Sequence, residues 1–305
     1  MRILFISSNR IGDAVITCGI LDHLISSYPN SRITIACGPA AEGVFARMPN
    51  RVRTIIIVKQ RYDGHWLKLW REVVVALWDL VVDMRGSLIA YLVPTRRRAI
   101  RRRVPGRMFE QYAAILGIEP APLPVVWTAP ADRDQATTLL PPGRLVIGFG
   151  ATANWAPKVW PADRFAALFR KLADGPLPGA IPAVFAGPGE AERLMAAPLL
   201  AALPGAIDLC GILSLPEAAA CIQRCAIYVG NDSGLMHLAA ASGAPTIGLC
   251  GTTMDRAKEM APAGPHAAWA LADSPSMETL SVETAYAACL QMLEPAATRQ
   301  LLKGE

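Results

Sequence analysis

Three polar clusters in this chain combine residue types suited to group transfer. In Ser8-Asn9-Arg10-Ile11-Gly12-Asp13, the acid falls at the N-cap or first turn of an apolar-periodic segment. The helix macrodipole stabilises a carboxylate there, so Asp13 stays ionised at neutral pH. Such an acid can simply cap the helix, or act as a general base that takes a proton from an attacking hydroxyl. Gly12 permits a tight or positive-φ turn just before it. The second cluster runs from Gly148-Phe149-Gly150-Ala151-Thr152 to Lys158-Val159-Trp160-Pro161. Its glycines and Thr152 let backbone N–H groups approach phosphate oxygens, and Lys158 is a point charge able to neutralise a diphosphate leaving group.

The third cluster is Gly230-Asn231-Asp232-Ser233-Gly234, with His237 one helical turn beyond Ser233. An apolar run enters a polar turn that opens a helix, whose free N–H groups suit a phosphate. Asp232 can then accept from sugar hydroxyls, and His237 can face the same pocket. Taken singly, Asp232 reads as an N-cap and His237 as a half-buried histidine. Asp132-x-Asp134 matches a string that some transferases use to hold a divalent cation. It lies in a proline-rich stretch and reads better as a turn or helix start, so no metal is expected.

These clusters need elements to position them. Strands are expected at Ile3–Ser7, Arg32–Cys37, Thr54–Val58 and Leu80–Met84, with helices at Ala14–Ser27 and around Trp66–Trp78. Residues 119–143 are rich in proline and read as a linker carrying one short helix, Asp132–Leu140. The alternation then restarts. Strands at Leu145–Gly148, Ala183–Ala186, Ile227–Val229 and Thr246–Leu249 alternate with helices at Ala162–Asp174, Leu215–Cys225 and Gly234–Ser242. This predicts an α/β fold with two parallel, doubly wound sheets. A last helix over 282–293 is expected either to cap the second domain or to pack back across the first.

Length and composition agree with that division. The 305 residues exceed one ordinary domain, and 52% hydrophobic with 18% charged residues excludes a disordered chain. The opening apolar run is too short for a signal peptide, and no later run reaches the length of a membrane span, so a cytoplasmic protein is expected. The seven cysteines form no CxxC pair and are expected as reduced thiols without zinc. Charge is uneven: residues 1–140 hold 19 Lys and Arg against 11 acids, a net of +8, and the remainder is −3. Seven arginines fall within residues 96–107, a block able to meet phosphates, nucleic acid or an anionic membrane, or to form a solvated face. Nucleic acid fits least, because aromatic residues are scarce there.

The succession of K-x-W-P (Lys158 to Pro161), G-x-G-E (Gly187 to Glu190), C-G-x-L-S-L (Cys210 to Leu215) and N-D-S-G-x-x-H-x-A-A-A-x-G-x-P (Asn231 to Pro245) resembles glycosyltransferase family 9. That family contains the ADP-heptose:lipopolysaccharide heptosyltransferases, and the likeness runs from the first loop to about Pro265. The resemblance implies a GT-B fold, with two Rossmann-like domains facing a central cleft. Residues 1–130 would take the acceptor and 131–305 the nucleotide sugar. It implies inverting, metal-independent transfer of heptose from ADP-L-glycero-D-manno-heptose to a 3-deoxy-D-manno-octulosonate (Kdo) or heptose hydroxyl. ADP-heptose would be a co-substrate, with no resident cofactor.

By position, the resemblance makes Asp13 the base, Lys158 the phosphate-binding and catalytic lysine, and Glu190 a ribose contact. Gly12, Thr152, Asp232, Ser233, Gly234 and His237 complete its donor set. Arg10, Arg96, Arg97, Arg98, Arg101, Arg102 and Arg103 would meet the anionic glycolipid acceptor or anionic lipid at the inner face of the inner membrane. There are two departures: Ser233 stands where threonine is common, which keeps the hydroxyl, and Thr253-Met254-Asp255-Arg256-Ala257-Lys258 replaces a frequent proline-rich stretch, which bears on the donor's base or sugar preference. The alternatives are a family member using another sugar or glycan, and a non-catalytic nucleotide-sugar-binding protein. A Rossmann dehydrogenase is disfavoured by the incomplete GxGxxG.

Overall fold

Short apolar runs separated by amphipathic segments fold here as parallel strands with helical crossovers. In the computed structural model, which describes residues 1–294, the chain divides into one unit of Met1–Trp127 and a second from Thr128 on. The first unit contains β1 (Arg2–Ile6), α1 (Ile11–Ile16), α2 (Cys18–Ser27), β2 (Arg32–Cys37), β3 (Arg51–Ile56), α3 (Gly64–Val73), β4 (Trp78–Asp83), α4 (Ile89–Leu92), β5 (Thr95–Ile100) and α5 (Met108–Ala114). Its sheet has the order β3-β2-β1-β4-β5, all parallel. Leu4, Ile6, Ala36, Ile55, Val81 and Leu69 form part of a core on one face.

The second unit contains α6 (Pro130–Leu139), β6 (Val146–Gly150), α7 (Ala162–Asp174), β7 (Ile181–Phe185), α8 (Glu190–Ala202), β8 (Ile207–Asp208) and α9 (Leu215–Gln223). It continues through β9 (Ile227–Asn231), α10 (Gly234–Ala241), β10 (Thr246–Cys250), α11 (Met254–Glu259), β11 (Ala267–Leu271) and α12 (Val282–Leu293). The sheet order is β11-β10-β9-β6-β7-β8, the doubly wound Rossmann order. Successive side chains of β6 and β9 feed opposite cores. Ile147, Phe149, Ile227 and Val229 pack under α7 and α12, and Val146 and Tyr228 pack under α6 and α9. Helix α12 caps this unit, with Lys171 paired to Glu283 at 3.2 Å and Cys289 in the core.

Several expectations require correction. The helix expected over 14–27 is broken at Thr17, whose hydroxyl donates to the Ala14 carbonyl at 2.7 Å, and restarts as α2. Gly12 lies inside α1 without a positive φ, because the extended Arg10 has already turned the chain. Trp78 opens β4 instead of ending a helix, and β3 begins three residues earlier than expected. The first half of the arginine block is a strand: β5 pairs with β4, keeping Ala99 buried while Arg96, Arg97 and Arg98 stay exposed at the sheet edge. The stretches that form α8, β8 and β11 went unrecognised in the sequence.

Gly148 and Gly150 also meet a packing need that the sequence did not disclose. Both lie within β6, and both make room for Tyr228 on the neighbouring strand. A methyl group on Gly150 would sit 2.0 Å from the Tyr228 hydroxyl oxygen. That hydroxyl is buried and has no hydrogen-bond partner among the described residues. Gly150→Ala is therefore expected to lower the stability of the protein by about 1–3 kcal/mol through overpacking. Adding Tyr228→Phe should restore much of the loss in denaturant unfolding, and an uncorrected double variant would show that the contact is not the cause.

Candidate functional site

Parallel strands point their carboxyl ends the same way, and polar loops gather above the place where the strand order reverses. In the second unit that place is the β6–β9 edge. The loop after β6 is anchored by Trp160, which is 1% exposed, packs edge-on against Phe165 at 4.9 Å, and donates its indole N–H to the Leu280 carbonyl at 2.9 Å. Its backbone N–H donates to Asn231 Oδ1 at 3.0 Å, which ties the loop after β6 to the end of β9. This anchoring explains the K-x-W-P spacing: the tryptophan is the peg, and Lys158, two residues earlier, is held over the reversal point.

Lys158 and Asp232 meet there, with Nζ 2.5 Å from Oδ2. Both side chains are partly accessible, 38% and 22% exposed. The sequence reading gave these two residues separate tasks, and the structure joins them in one ion pair. An ammonium has three donors, so Lys158 can keep Asp232 on one and offer the others to an anion. Beside the pair, Ser233 is the extended N-cap of α10 and makes no side-chain cap bond. Ser233 Oγ and Asn231 Nδ2 are both buried without partners among the described residues, so two polar atoms stand unspent at the head of a helix. Gly234 starts α10 and His237 is buried in its first turn and a half.

Of the remaining expected donor residues, Thr152 and Glu190 lie on this same edge of the sheet or beside it, whereas Gly12 lies in α1 of the first unit. Thr152 is buried just beyond β6. Glu190 is the exposed first residue of α8, whereas Glu192 is the acid that turns back to its loop and accepts from the Gly187 N–H at 3.2 Å. Asp132 and Asp134 both lie in α6, where Asp132 accepts the Ala129 N–H at 2.7 Å and fixes the helix start. No group of three or more His, Cys, Asp or Glu side chains able to hold a metal occurs among the described residues.

In the first unit the reversal lies between β1 and β4. Asp13 is half-buried in the first turn of α1, where the Ser8 hydroxyl donates to its Oδ2 at 3.3 Å. The N-cap is Arg10, whose own N–H donates to Ser8 Oγ at 3.2 Å. Asp13 therefore does not serve as the N-cap. Across the edge, the fully buried Asp83 organises the turn after β4. It accepts the N–H groups of Arg85, Gly86 and Ser87 at 2.8, 3.1 and 2.7 Å, and the Ser87 hydroxyl at 2.7 Å. That turn projects Arg85, which donates to Asn9 Oδ1 at 3.0 Å and lies 4.6 Å over the Trp66 ring. Burial lowers the Arg85 pKa from the ordinary arginine value, with the Asp83 carboxylate opposing the shift.

Arg85 and Asn9 had no assigned role in the sequence reading. The signal was present: an Asp-x-x-Gly-Ser turn after the fourth strand must face the loop after the first in a 3-2-1-4 order. The arginines that were assigned are spread along β5 and beyond. Arg96 lies at the entry end with Asp79 at 3.6 Å, and Arg98 stacks 6.0 Å from Tyr91. Arg101 sits at the exit end, its N–H donating to the Asp83 carbonyl at 2.8 Å, and so neighbours the Arg85 turn. Arg10, Arg97, Arg102 and Arg103 are exposed.

With this geometry, the comparisons are decisive for family. Residues 93–288 match the family described as Glycosyltransferase family 9 (heptosyltransferase). The chain belongs to this family. It is thus a glycosyltransferase, with the two Rossmann-like units of the GT-B class. It is 26% identical over 298 residues to lipooligosaccharide heptosyltransferase 2 of Haemophilus influenzae, covering 83% of this chain and 84% of that protein. It is 26% identical over 290 residues to lipopolysaccharide heptosyltransferase 1 of Pseudomonas aeruginosa, covering 83% and 79%. Its fold is similar to the solved structure of Escherichia coli ADP-heptose lipopolysaccharide heptosyltransferase II, with TM-score 0.77 and 21% identity over 96% of this chain and 98% of that one.

Thiol chemistry has no place in these loops. All seven cysteines are unpaired and buried. Burial pushes Cys221 up to about 11 and Cys37, Cys210, Cys250 and Cys289 up to about 12, so each stays protonated at neutral pH. A disulfide reagent at about pH 8 should therefore titrate no thiol rapidly in the native glycosyltransferase and all seven after denaturation. A fast-reacting thiol in the native protein would contradict this burial.

Proposed function

We propose that this glycosyltransferase moves L-glycero-D-manno-heptose from ADP-heptose to a hydroxyl of the lipopolysaccharide inner core, with inversion and without a divalent cation. The observation that carries the proposal is the Lys158–Asp232 pair set before the α10 N-terminus, beside the unspent Ser233 hydroxyl. A cation and a helix head suit a pyrophosphate, and a carboxylate suits sugar hydroxyls. Lipooligosaccharide heptosyltransferase 2 and lipopolysaccharide heptosyltransferase 1 are each 26% identical to this chain, so the acceptor is kept as a Kdo or heptose hydroxyl without choosing between them.

In this reaction the Asp13 carboxylate takes the proton of the acceptor hydroxyl while that oxygen forms a bond to the anomeric carbon. The bond from that carbon to the diphosphate oxygen breaks at the same centre from the opposite side, and ADP departs with the electron pair. Lys158 and the α10 N–H groups neutralise the departing charge, the work a metal does in other transferases. Thr152, Glu190, Gly234 and His237 are assigned to the donor set together with Gly12, which lies in α1 one residue before the base. No resident cofactor or metal is assigned. The exposed arginines from Arg96 to Arg103 suit an anionic glycolipid and the lipid headgroups around it. Free cysteines suit the reducing cytoplasm, and no described helix is long and apolar enough to cross a membrane.

The test is transfer itself: incubation with ADP-heptose and a Kdo-bearing acceptor, in the presence of a chelator, should yield the heptosylated product. Asp13→Asn should lower kcat at least about 100-fold while leaving ADP affinity unchanged. Turnover near the parent rate would remove Asp13 from the base role. Lys158→Ala should weaken ADP binding by about 10-fold or more in calorimetry, and unaltered affinity would exclude Lys158 from the phosphate clamp.

A further inference from the structure

We propose that Arg85 binds the carboxylate of an acidic acceptor sugar and so holds the attacking hydroxyl at the Asp13 loop, an inference that rests on the proposed acceptor class. Arg85 projects from the turn after β4 onto the loop after β1, the loop that carries Ser8 and leads to Asp13. Its guanidinium is fixed on two sides, by Asn9 Oδ1 at 3.0 Å and by the Trp66 ring 4.6 Å below. The ring holds the group from one face, and the bond to Asn9 holds one of its terminal nitrogens. The remaining N–H edge keeps a defined direction, which is what bidentate reading of a planar carboxylate requires.

Both supports are themselves held. Asn9 is pressed against Gly38, where a methyl group would come within 2.6 Å of Asn9 Oδ1 and 2.7 Å of its Cα. The Arg85 backbone is tied down by Asp83. Arg85 also differs from the ion-paired arginines of the surface. Arg53, Arg96, Arg193 and Arg256 each lie within ion-pair distance of a carboxylate. Among the described residues no carboxylate lies within that distance of the Arg85 guanidinium, although the group is half-buried. The fully buried Asp83 carboxylate acts on Arg85 only from beyond ion-pair distance, so the half-buried guanidinium, bonded to a neutral amide, still has N–H groups to offer a ligand.

The experiment uses the full chain with Arg85→Met and Arg85→Lys. Calorimetry measures binding of free Kdo and of ADP, and kinetics compare a Kdo-bearing acceptor with the same acceptor after reduction of its carboxyl group to the alcohol. Arg85→Met should weaken Kdo binding and raise the acceptor KM by about 10- to 100-fold, with little change in kcat or ADP affinity. Arg85→Lys should recover part of the loss, and the carboxyl-reduced acceptor should not distinguish the parent from Arg85→Met. An unchanged Kdo affinity and acceptor KM in Arg85→Met would overturn the assignment. So would a penalty that persists in full with the reduced acceptor, or a parent protein that binds no Kdo. Turnover of a different nucleotide sugar would remove the heptosyl reading instead, since the Kdo-binding arm uses no donor and still reports on Arg85.

Discussion

Two neighbouring parallel strands whose crossovers leave in opposite directions cannot cover the ground above their shared edge. Loops part there, and the polar groups at the strand ends must find partners across the gap. Both units of this protein meet the constraint in the same way, with an amide side chain as the bridge. Asn231 accepts the Trp160 N–H over the β6–β9 edge, and Asn9 accepts from Arg85 over the β1–β4 edge. In each case a rigid aromatic group stands behind the bridge, Trp160 itself in one unit and Trp66 in the other. Charged side chains that would otherwise sweep through solvent are thereby held in a narrow range of positions. The donor and acceptor chemistry assigned to the protein depends on this restraint more than on any one charge.

What the sequence disclosed follows from how each element is buried. Strands covered on both faces, such as β1, β6, β9 and β10, read as continuous apolar runs and were recognised. β5 lies at a sheet edge, so its arginines stay wet and only Ala99 is fully buried, which leaves too little apolar pattern to see. β8, two residues long, carries no periodicity at all. The break at Thr17 depends on one hydroxyl reaching back to a carbonyl, a choice that apolar spacing does not encode.

The functional clusters were legible as separate strings, because turn residues after strand ends have a local signature. Their mutual relations were not. Lys158 and Asp232 are 74 positions apart and became one ion pair only when β6 and β9 lay side by side. The two glycines of β6 carried a signal that suggested phosphate binding, and the packing of Tyr228 on the adjacent strand, which also requires Gly150, was not legible beside it. Arg85 went unnoticed beside the denser arginine run, although a single constrained cation can outweigh several exposed ones in recognising an anion.

The ion pair between Lys158 and Asp232 leaves its mouth of the second unit locally neutral before any substrate arrives. A free phosphate shares the ammonium with its carboxylate and returns nothing to the acid. In the proposed binding mode a nucleotide sugar would compensate both partners at once, its pyrophosphate on the lysine and its hydroxyls on the aspartate. In the proposed reaction, cleavage of the sugar from ADP removes half of that compensation. The aspartate then competes with the spent nucleotide for the lysine, which favours release of the product and resets the enzyme for the next cycle.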